Sequence, residues 1–242
     1  MKPLHGLSSI NLELTSRCNK SCWMCGRRKV EGDYGDMDFA LVEKIADQIP
    51  PNVVVQFHNN GEPLLYPRFG EAVRMFDQCI RCVDTNGKLL LEKSQEIIGN
   101  LHSITISVIE NDPEGDEQYE IVKNFLEIHP WGDNPLVVLR LLGNVDSTRW
   151  ETLGCLIARR TLHSPMGSFE YKTPRVVPEI GFCLEVLHHL SIDRFGNVSP
   201  CVRFDPKGIG IIGNVNDDPL EEIWDRQHTP LCDECDYWGI PS

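Results

Sequence analysis

The sequence predicts an α/β protein: an incomplete barrel of five or six parallel βα units, followed by a small cysteine-rich domain. The first observation is that apolar runs of strand length alternate with segments of helical periodicity over the first 160 residues, the pattern of parallel βαβ units. The second is their number, which is too small to close an eight-stranded barrel. The third is a change after residue 175 to short apolar runs between cysteines. We therefore expect two domains, 1–175 and 176–242.

The elements of the barrel follow in order along the chain. Strands are predicted in five apolar runs bounded by polar or turn residues, at 7–14, 52–58, 81–85, 103–108 and 136–142. Helices are predicted where apolar residues recur at helical spacing, the first after an Asp38 cap, over 38–49, about 68–78, about 90–99, within 112–129 and from about 148 to 160.

Composition and charge indicate a globular protein and disfavour a nucleic-acid partner. The 242 residues are 41% hydrophobic and 24% charged, typical of a globular protein with a sizeable core. The net charge of −13 disfavours a nucleic-acid partner, because a phosphate backbone is met by clustered Lys and Arg. The short basic cluster Arg27-Arg28-Lys29 indicates either a solvated surface or a contact for an acidic electron donor.

The cysteine content indicates the cellular compartment. No apolar stretch approaches the length of a membrane span, and residues 1–14 lack the features of a secretory signal, so no membrane partner is expected. Ten cysteines without an export signal predict a reducing cytoplasm, where thiols hold metals rather than form disulfides. Three of them, Cys79, Cys82 and Cys155, fall within or beside barrel elements and are expected to be buried apolar residues.

Three other cysteines, Cys18, Cys22 and Cys25, follow the first predicted strand with gaps of three and two residues. A structural zinc site or a pure electron carrier is expected to have four protein ligands. Three thiolates in one loop instead leave one iron of a cubane cluster open to another molecule. Half of a zinc site, completed by Cys232 and Cys235, is the alternative, although a zinc knuckle would use two cysteines here. The loop leaves the C-terminal end of a strand, where parallel α/β proteins bind ligands.

The run Cys-Asn-Lys-Ser-Cys-Trp-Met-Cys resembles the signature of the radical S-adenosylmethionine (SAM) superfamily. The resemblance implies a [4Fe-4S] cluster on Cys18, Cys22 and Cys25, whose fourth iron binds the amino and carboxylate groups of SAM. It also implies reductive cleavage of SAM to a 5'-deoxyadenosyl radical that abstracts hydrogen from a substrate. The implied electron source is a reducing donor such as flavodoxin or ferredoxin.

Later segments extend this resemblance over the barrel half. Asn60-Gly61-Glu62-Pro63 resembles the superfamily's Gly-Gly-Glu-Pro segment, with Asn60 in place of the first glycine, and 84–87 resembles its Thr-Asn-Gly turn. Many members place an aromatic residue against adenine where this chain has Met24, beside Trp23. The resemblance thus implies a set of SAM-binding residues: Trp23, Met24, Asn60, Gly61, Glu62, Pro63, Asn86, Ser107 and Arg140.

The C-terminal part resembles the Twitch domain, the shortened relative of the SPASM auxiliary-cluster domain. The segment from Leu190 to Cys201 predicts two strands joined by a turn at 194–197, where Gly196 supplies a positive φ, and a short helix follows at 220–224. The resemblance implies a second [4Fe-4S] cluster, and a zinc ribbon is the alternative. Its four ligands would be Cys183, Cys201, Cys232 and Cys235. The chain ends seven residues after the last of them, so no cysteines remain for a further auxiliary cluster.

A cluster with four protein ligands cannot readily bind substrate, so the second cluster is expected to move electrons, which favours a net oxidation over the redox-neutral alternative. Hydrogen abstraction from a carbinol carbon, followed by loss of a proton and an electron, gives a ketone, and the second cluster is expected to accept the electron. The compact size and the four-cysteine domain resemble the 2-deoxy-scyllo-inosamine dehydrogenases, which implies a radical SAM oxidoreductase acting on a small polar alcohol. The alternative is a maturase that crosslinks, epimerises or oxidises a short peptide, although the residues before the first strand leave no room for a peptide-recognition domain. A non-catalytic iron–sulfur carrier is disfavoured because it needs neither the open cysteine triplet nor the Asn60–Pro63 segment.

The sequence does not identify the catalytic base. Polar candidates lie near predicted strand ends or in the connection between the domains: His58, Glu62, Arg140, His163 and Tyr171. Candidates to bind an anionic group of the substrate lie near the same connection: Arg159, Arg160 and Arg175. For each residue a structural role is the competing interpretation.

Overall fold

The computed structural model describes residues 4–29, 34–129, 134–162, 164, 169–171, 179–180, 183, 185–202, 205, 207–226, 229–233 and 238–239. The strands within these ranges are β1 Ser9–Leu12, β2 Val54–Phe57, β3 Ile80–Thr85, β4 Ser103–Ile109, β5 Leu136–Leu142, β6 Leu156–Arg160, β7 Glu179–Ile180, β8 His189–Ile192, β9 Asn197–Ser199, β10 Gly213–Asn214 and β11 Trp238–Gly239. The α-helices are α1 Phe39–Ala46, α2 Phe69–Arg74, α3 Ser94–Ile97, α4 Gly115–Ile128, α5 Thr148–Glu151, α6 Glu185–His188, α7 Leu220–Ile223 and α8 Pro230–Asp233. Short 3-10 helices cover Gly26–Lys29 and Pro63–Leu65.

The main sheet has the strand order β10-β9-β8-β1-β2-β3-β4-β5-β6. Strands β1 to β6 are parallel and adjacent in sequence order, which confirms the predicted series of βα units. Strand β8 pairs in parallel with the other side of β1, and β9 and β10 continue antiparallel. A separate two-stranded parallel sheet joins β7 and β11.

Alternation along the strands separates the core from the site. In β2, Val55 and Phe57 are fully buried, whereas Gln56 between them is only partly buried. Successive side chains of a strand point to opposite faces, so the apolar set packs on the helices and the polar set faces the inside of the partial barrel. Helix α1 shows the complementary pattern, because it buries Leu41 and Ile45 against this sheet.

One predicted element is wrong. The helix expected over 148–160 ends at Glu151, and the chain returns through Gly154, at φ +71°, to form β6. Glycine tolerates this left-handed conformation and commonly follows the end of a helix. Strand β6 pairs with β5 from Val138↔Leu156 to Leu142↔Arg160, which satisfies backbone groups that a helix would have left unpaired at the sheet edge.

The C-terminal hairpin is as predicted. Strands β8 and β9 are antiparallel, and Gly196 lies at φ +85° in the turn between them. The predicted helix at 220–224 corresponds to α7. The main-chain N–H of Leu220 donates to Gln48 Oε1 at 2.8 Å, so the C-terminal part contacts the turn after helix α1 as well as β1. The division at residue 175 stays a prediction.

The remaining expectations concern thiols and membranes. Cys79 is buried, as predicted, while Cys82 and Cys155 are half-buried, and burial raises the pKa of all three thiols. Within the described ranges, no helix combines the length and the apolar character needed to cross a bilayer.

Candidate functional site

A cavity of about 470 Å³ opens at the C-terminal ends of the parallel strands, between the cysteine loop and the β8–β9 hairpin. Many of the predicted site residues line it: Cys18, Met24, Cys25, His58, Asn60, Gly61, Glu62, Asn86, Ser107 and Cys201. Others are described but do not line it: Cys22, Trp23, Pro63, Arg140, Tyr171, Cys183 and Cys232. The predicted residues His163, Arg175 and Cys235 lie outside the described residues.

The cysteine loop is fastened at its start to the 60–62 segment. The N–H of Glu62 donates to the carbonyl of Arg17 at 2.7 Å. A Cβ atom at position 61 would lie 2.0 Å from the carbonyl oxygen of Thr15, far inside van der Waals contact. Only glycine therefore allows the two backbones to approach this closely. The two segments that the sequence assigns to cluster and SAM therefore pack backbone against backbone.

The three thiols of the loop suit a cluster more than a single ion. Cys18, Cys22 and Cys25 are half-buried, and burial raises the pKa of Cys18 and raises that of Cys22 to about 11. Iron binding would therefore release protons from Cys18 and Cys22. Within the described ranges, no three His, Cys, Asp or Glu side chains are close enough to hold one metal ion. A cubane takes its protein ligands on different irons, so the donor set fits a [4Fe-4S] cluster.

The carboxylate of Glu62 is used inside the protein. Its Oε1 accepts from Thr85 Oγ1 at 2.7 Å and from the N–H of Leu64 at 3.2 Å, while Oε2 accepts from the N–H of Asn86 at 2.8 Å. Burial raises its pKa to about 7, against the lowering effect of these three donors. The Glu62 side chain thus fixes the turn after β3. Any contact of the 60–63 segment with a ligand is therefore left to its main-chain atoms.

Asn60, which replaces a family glycine, has a partner that the sequence reasoning missed. Its N–H and its Nδ2 both donate to Oε2 of Glu13, at 3.1 and 3.0 Å. Burial raises the pKa of Glu13, and the two bonds from Asn60 oppose this. The sequence offers one signal for Glu13: it is a single acidic residue at the end of an apolar strand. The polar residue at position 60 is a candidate partner for it.

The side chain of Asn86 faces the first cysteine. Its Oδ1 accepts from the N–H of Lys88 at 2.9 Å, which orients the amide. Its Nδ2 then donates to Asn19 Oδ1 at 2.8 Å and lies 3.8 Å from the sulfur of Cys18. Asn86 therefore provides an N–H group to a predicted cluster ligand.

Arg140 forms an ion pair that the sequence did not indicate. Its guanidinium contacts Asp84, whose carboxylate is buried and also accepts from Gln56 Nε2 at 2.8 Å. The guanidinium of Arg140 is therefore held by a neighbouring strand, through Asp84 of β3. Ser107, its neighbour on β4, lines the cavity and accepts from Gln118 through its carbonyl oxygen.

The aromatic side chains near the loop pack on one another. The ring of Trp23 stacks on Tyr171, with centroids 5.7 Å apart, and its Nε1 donates to the carbonyl of Glu110 at 3.1 Å. The hydroxyl of Tyr171 donates to Oε2 of Glu110 at 3.0 Å. Of the two residues proposed to meet adenine, Met24 lines the cavity and Trp23 does not. The geometry also disfavours Tyr171 as a base at the cavity.

The C-terminal cysteines lie on separate segments. Cys201 follows β9 and lines the cavity, whereas Cys183 and Cys232 are half-buried elsewhere. The sulfur of Cys232 lies 3.6 Å from Thr229 Oγ1. Of the basic cluster next to the first loop, Arg27 is engaged locally, with its guanidinium 4.4 Å from the ring centroid of Tyr34.

Comparisons with known proteins identify a domain family and two relatives of this chain. Residues 183–236 match the model of the SPASM family, described as an iron-sulfur cluster-binding domain. The chain is 32% identical over 229 residues to an S-adenosyl-L-methionine-dependent 2-deoxy-scyllo-inosamine dehydrogenase of Niallia circulans, which covers 90% of this chain and 82% of that protein. A tungsten-containing aldehyde ferredoxin oxidoreductase cofactor-modifying protein of Pyrococcus furiosus is 37% identical over 95 residues, 37% of this chain and 27% of its own length.

Solved structures show the same fold. BtrN in complex with AdoMet and 2-DOIA has a TM-score of 0.61 at 19% identity, over 90% of this chain and 82% of that one. SuiB of Streptococcus suis bound to the precursor peptide SuiA has a TM-score of 0.57 at 13% identity, over 93% of this chain and 65% of that one. From the dehydrogenase relative and the SPASM match we conclude that the chain belongs to the radical SAM superfamily, in the group with a C-terminal SPASM/Twitch domain, and is an oxidoreductase-type enzyme whose cofactors are SAM and [4Fe-4S] clusters.

Proposed function

We propose that the protein is a radical SAM dehydrogenase that oxidises a small polar alcohol. The observation that carries this proposal is the shared cavity: Cys18 and Cys25 of the first set and Cys201 of the second set line the same space. A dehydrogenase of this kind needs a group that accepts a hydrogen atom and a group that accepts an electron, and both must reach the same substrate. The relative over most of the chain is also a dehydrogenase by name.

The two cysteine sets would hold the two clusters. Cys18, Cys22 and Cys25 take the first, while the second is assigned to Cys183, Cys201, Cys232 and Cys235. When bound, the first cluster and SAM supply a radical that abstracts hydrogen, and the second cluster supplies an electron acceptor. We assign SAM to the surface formed by the 60–62 backbone, with Met24, Asn86 and Ser107 around it, while Arg140 lies outside the cavity lining and pairs with Asp84. We expect a flavodoxin or ferredoxin to deliver the reducing electron.

The size and lining of the cavity favour a small substrate. A volume of about 470 Å³ is within the usual range for small-molecule sites, and SAM would occupy part of it. Hydroxyl and amide groups line the hairpin side, from Ser191, Asn197 and Ser199. Such groups form hydrogen bonds with a polyol or an amino sugar without requiring a net charge.

The proposal is tested with anaerobically reconstituted protein, SAM and a reductant. The probes are 2-deoxy-scyllo-inosamine and a panel of cyclitols and amino sugars, each deuterated at its carbinol carbons. We expect deuterium in 5'-deoxyadenosine and one equivalent of ketone from at least one probe, measured by mass spectrometry. If 5'-deoxyadenosine forms but no probe gives ketone or transfers deuterium, the proposal is refuted.

The same assay tests the peptide alternative. The fold is shared with SuiB, whose structure holds a precursor peptide, so the fold alone does not separate the two substrate classes. Deuterium transfer from a labelled peptide, with none from the alcohols, would identify a maturase.

A further inference from the structure

The acidic side chains that line the cavity are already engaged by the protein. Asp193 accepts from the N–H groups of Phe195 and Asn197 in the hairpin turn. Asp205 accepts from the N–H groups that follow it, at 3.1 and 2.7 Å. Glu62 and Asp84 hold the turn after β3 and the Arg140 pair. All four carboxylates therefore shape the site, and protonating one would weaken the hydrogen bonds or the ion pair that it makes.

His58 differs from these residues. It follows β2 directly and lines the cavity. Its backbone is fixed, because its N–H donates to the carbonyl of Leu12 at 3.2 Å and its carbonyl accepts from Asn11 Nδ2 at 3.5 Å. Its imidazole makes no hydrogen bond with any described residue. A ring on a fixed backbone, facing a cavity and without a hydrogen-bond partner among the described residues, is positioned to meet a ligand.

The charges around His58 favour its neutral form. Burial lowers its pKa below the ordinary value of 6.5, Asp84 on β3 opposes this, and Arg140 on β5 and Arg160 on β6 lower it further. On the β1 side, Glu13 is held by Asn60. The ring is therefore an available proton acceptor at neutral pH, and Asp84 would stabilise the imidazolium that forms.

We propose that His58 accepts the hydroxyl proton of the substrate during its oxidation, an inference that rests on the proposed dehydrogenase function. The carbinol C–H hydrogen leaves as an atom to the 5'-deoxyadenosyl carbon. The O–H proton goes to a ring nitrogen of His58, the remaining electron goes to the auxiliary iron–sulfur cluster, and the C=O bond forms. The alcohol thus loses two protons and two electrons in total, and each has a named acceptor.

The test compares His58→Gln with wild type and with His5→Gln, which makes the same change at an exposed position. The assay uses the loaded enzyme and the deuterated alcohols, with ketone and 5'-deoxyadenosine quantified together. We expect His58→Gln to retain deuterium transfer while ketone per 5'-deoxyadenosine falls at least about tenfold, since general-base groups contribute about a hundredfold or more. Iron content and the SAM-induced change in the EPR spectrum of the reduced protein report independently that the variant is loaded.

Wild type supplies a measurement that does not depend on how the variant folds. We expect its ketone per 5'-deoxyadenosine to be constant above pH 6.5 and to fall as the pH is lowered below 6.5 and His58 takes up a proton, while SAM cleavage continues. A ratio independent of pH over this range, or a wild-type ratio in loaded His58→Gln, would overturn the role of His58. Absence of ketone from wild type at every pH would instead refute the dehydrogenase function itself.

Discussion

The two cysteine-bearing regions differ in how the protein holds them. The loop of Cys18, Cys22 and Cys25 is tied to the barrel by buried polar groups. The C-terminal cysteines, in contrast, lie within or between elements of only two to four residues. Lys20, within the loop, is 5% exposed and pairs with the buried Asp112. Cys232, by contrast, contacts Thr229, which lies three residues away in sequence.

This difference indicates how each site forms. The first loop is held by contacts between protein groups other than its thiols, so we expect it to keep its place in the fold when the thiols are replaced. The second region is anchored through the β8–β9 hairpin on β1, and its cysteines come from three separate segments. In small metal domains of this kind, metal binding supplies part of the folding free energy. We therefore expect the two regions to respond differently to mutation.

The largest expected effect comes from replacing Cys18, Cys22 and Cys25 together with Ala. SAM cleavage should be abolished, because no ligands remain for the first cluster. Iron should fall from about eight to about four per chain, since the second cluster keeps its own ligands. Chromatography of 5'-deoxyadenosine and iron analysis measure both effects, with Cys155→Ala as the control. Continued SAM cleavage in the triple variant would show that the first cluster lies elsewhere.

The next effect concerns stability of the first region and its pH dependence. The pKa of Glu62 rises from 4.5 to about 7 on folding, so its contribution to the free energy of unfolding is fully present below pH 4.5 and is lost as pH rises through 7. The loss amounts to about 3 kcal/mol. Glu62→Gln does not titrate, so we expect the stability of wild type relative to this variant to decrease over that range. Urea unfolding of the metal-free proteins measures this, and a constant difference would contradict it.

A smaller effect is expected on the first cluster itself. Asn86 directs an N–H toward the sulfur of Cys18, and hydrogen bonds to sulfur are among the factors that set cluster potentials. Asn86→Ala should make the reduction potential of the first cluster more negative, because the reduced cluster carries more charge on sulfur. Redox titration monitored by EPR tests this, with Asn100→Ala as the control. An unchanged potential would mean that the Asn86 side chain acts only through its bonds to Asn19 and Lys88 and not on the cluster.

The smallest effect concerns the departure from the family segment. Asn60→Gly removes the Nδ2 bond to Glu13 and keeps the backbone bond. A net loss of about 1 kcal/mol would weaken SAM binding roughly fivefold. Asn59→Gly adds the same backbone freedom without removing that bond and serves as the control. Equal or tighter SAM binding by Asn60→Gly, measured by equilibrium dialysis, would mean that Asn60 does not position the segment.

The fold was predictable wherever local pattern determines structure. The alternation of β1 to β5 with helices and the turn at Gly196 depend on periodicity and on one backbone conformation. Strand β6 was not predictable in this way, because 148–160 contains both helical and strand-like apolar spacing and only its pairing with β5 decides between them. The parallel pairing of β8 with β1 joins residues about 180 positions apart and has no local signal.

The site shows the same division. Spacing singled out the first three cysteines, and the resemblance to the radical SAM superfamily indicated the 60–63 segment. Of these residues, the following line one cavity: Cys18, Cys25, Asn60, Gly61 and Glu62. The polar partners were not identified, because each pair joins residues remote in sequence: Glu13 with Asn60, Asp84 with Arg140, and Lys20 with Asp112. A carboxylate buried by tertiary packing gives no sequence signal beyond its presence in an apolar run.

The central claim is that the two cysteine sets act on one substrate through the shared cavity. Its most direct test is the double variant Cys183→Ala with Cys201→Ala, assayed with a deuterated alcohol that wild type oxidises, beside Cys155→Ala as the control. We expect SAM cleavage to continue, since the first loop lies in the barrel half, and ketone per 5'-deoxyadenosine to fall sharply because the electron acceptor is gone. A wild-type ratio in the double variant, with iron reduced to about four per chain, would contradict the claim and identify a redox-neutral radical reaction instead.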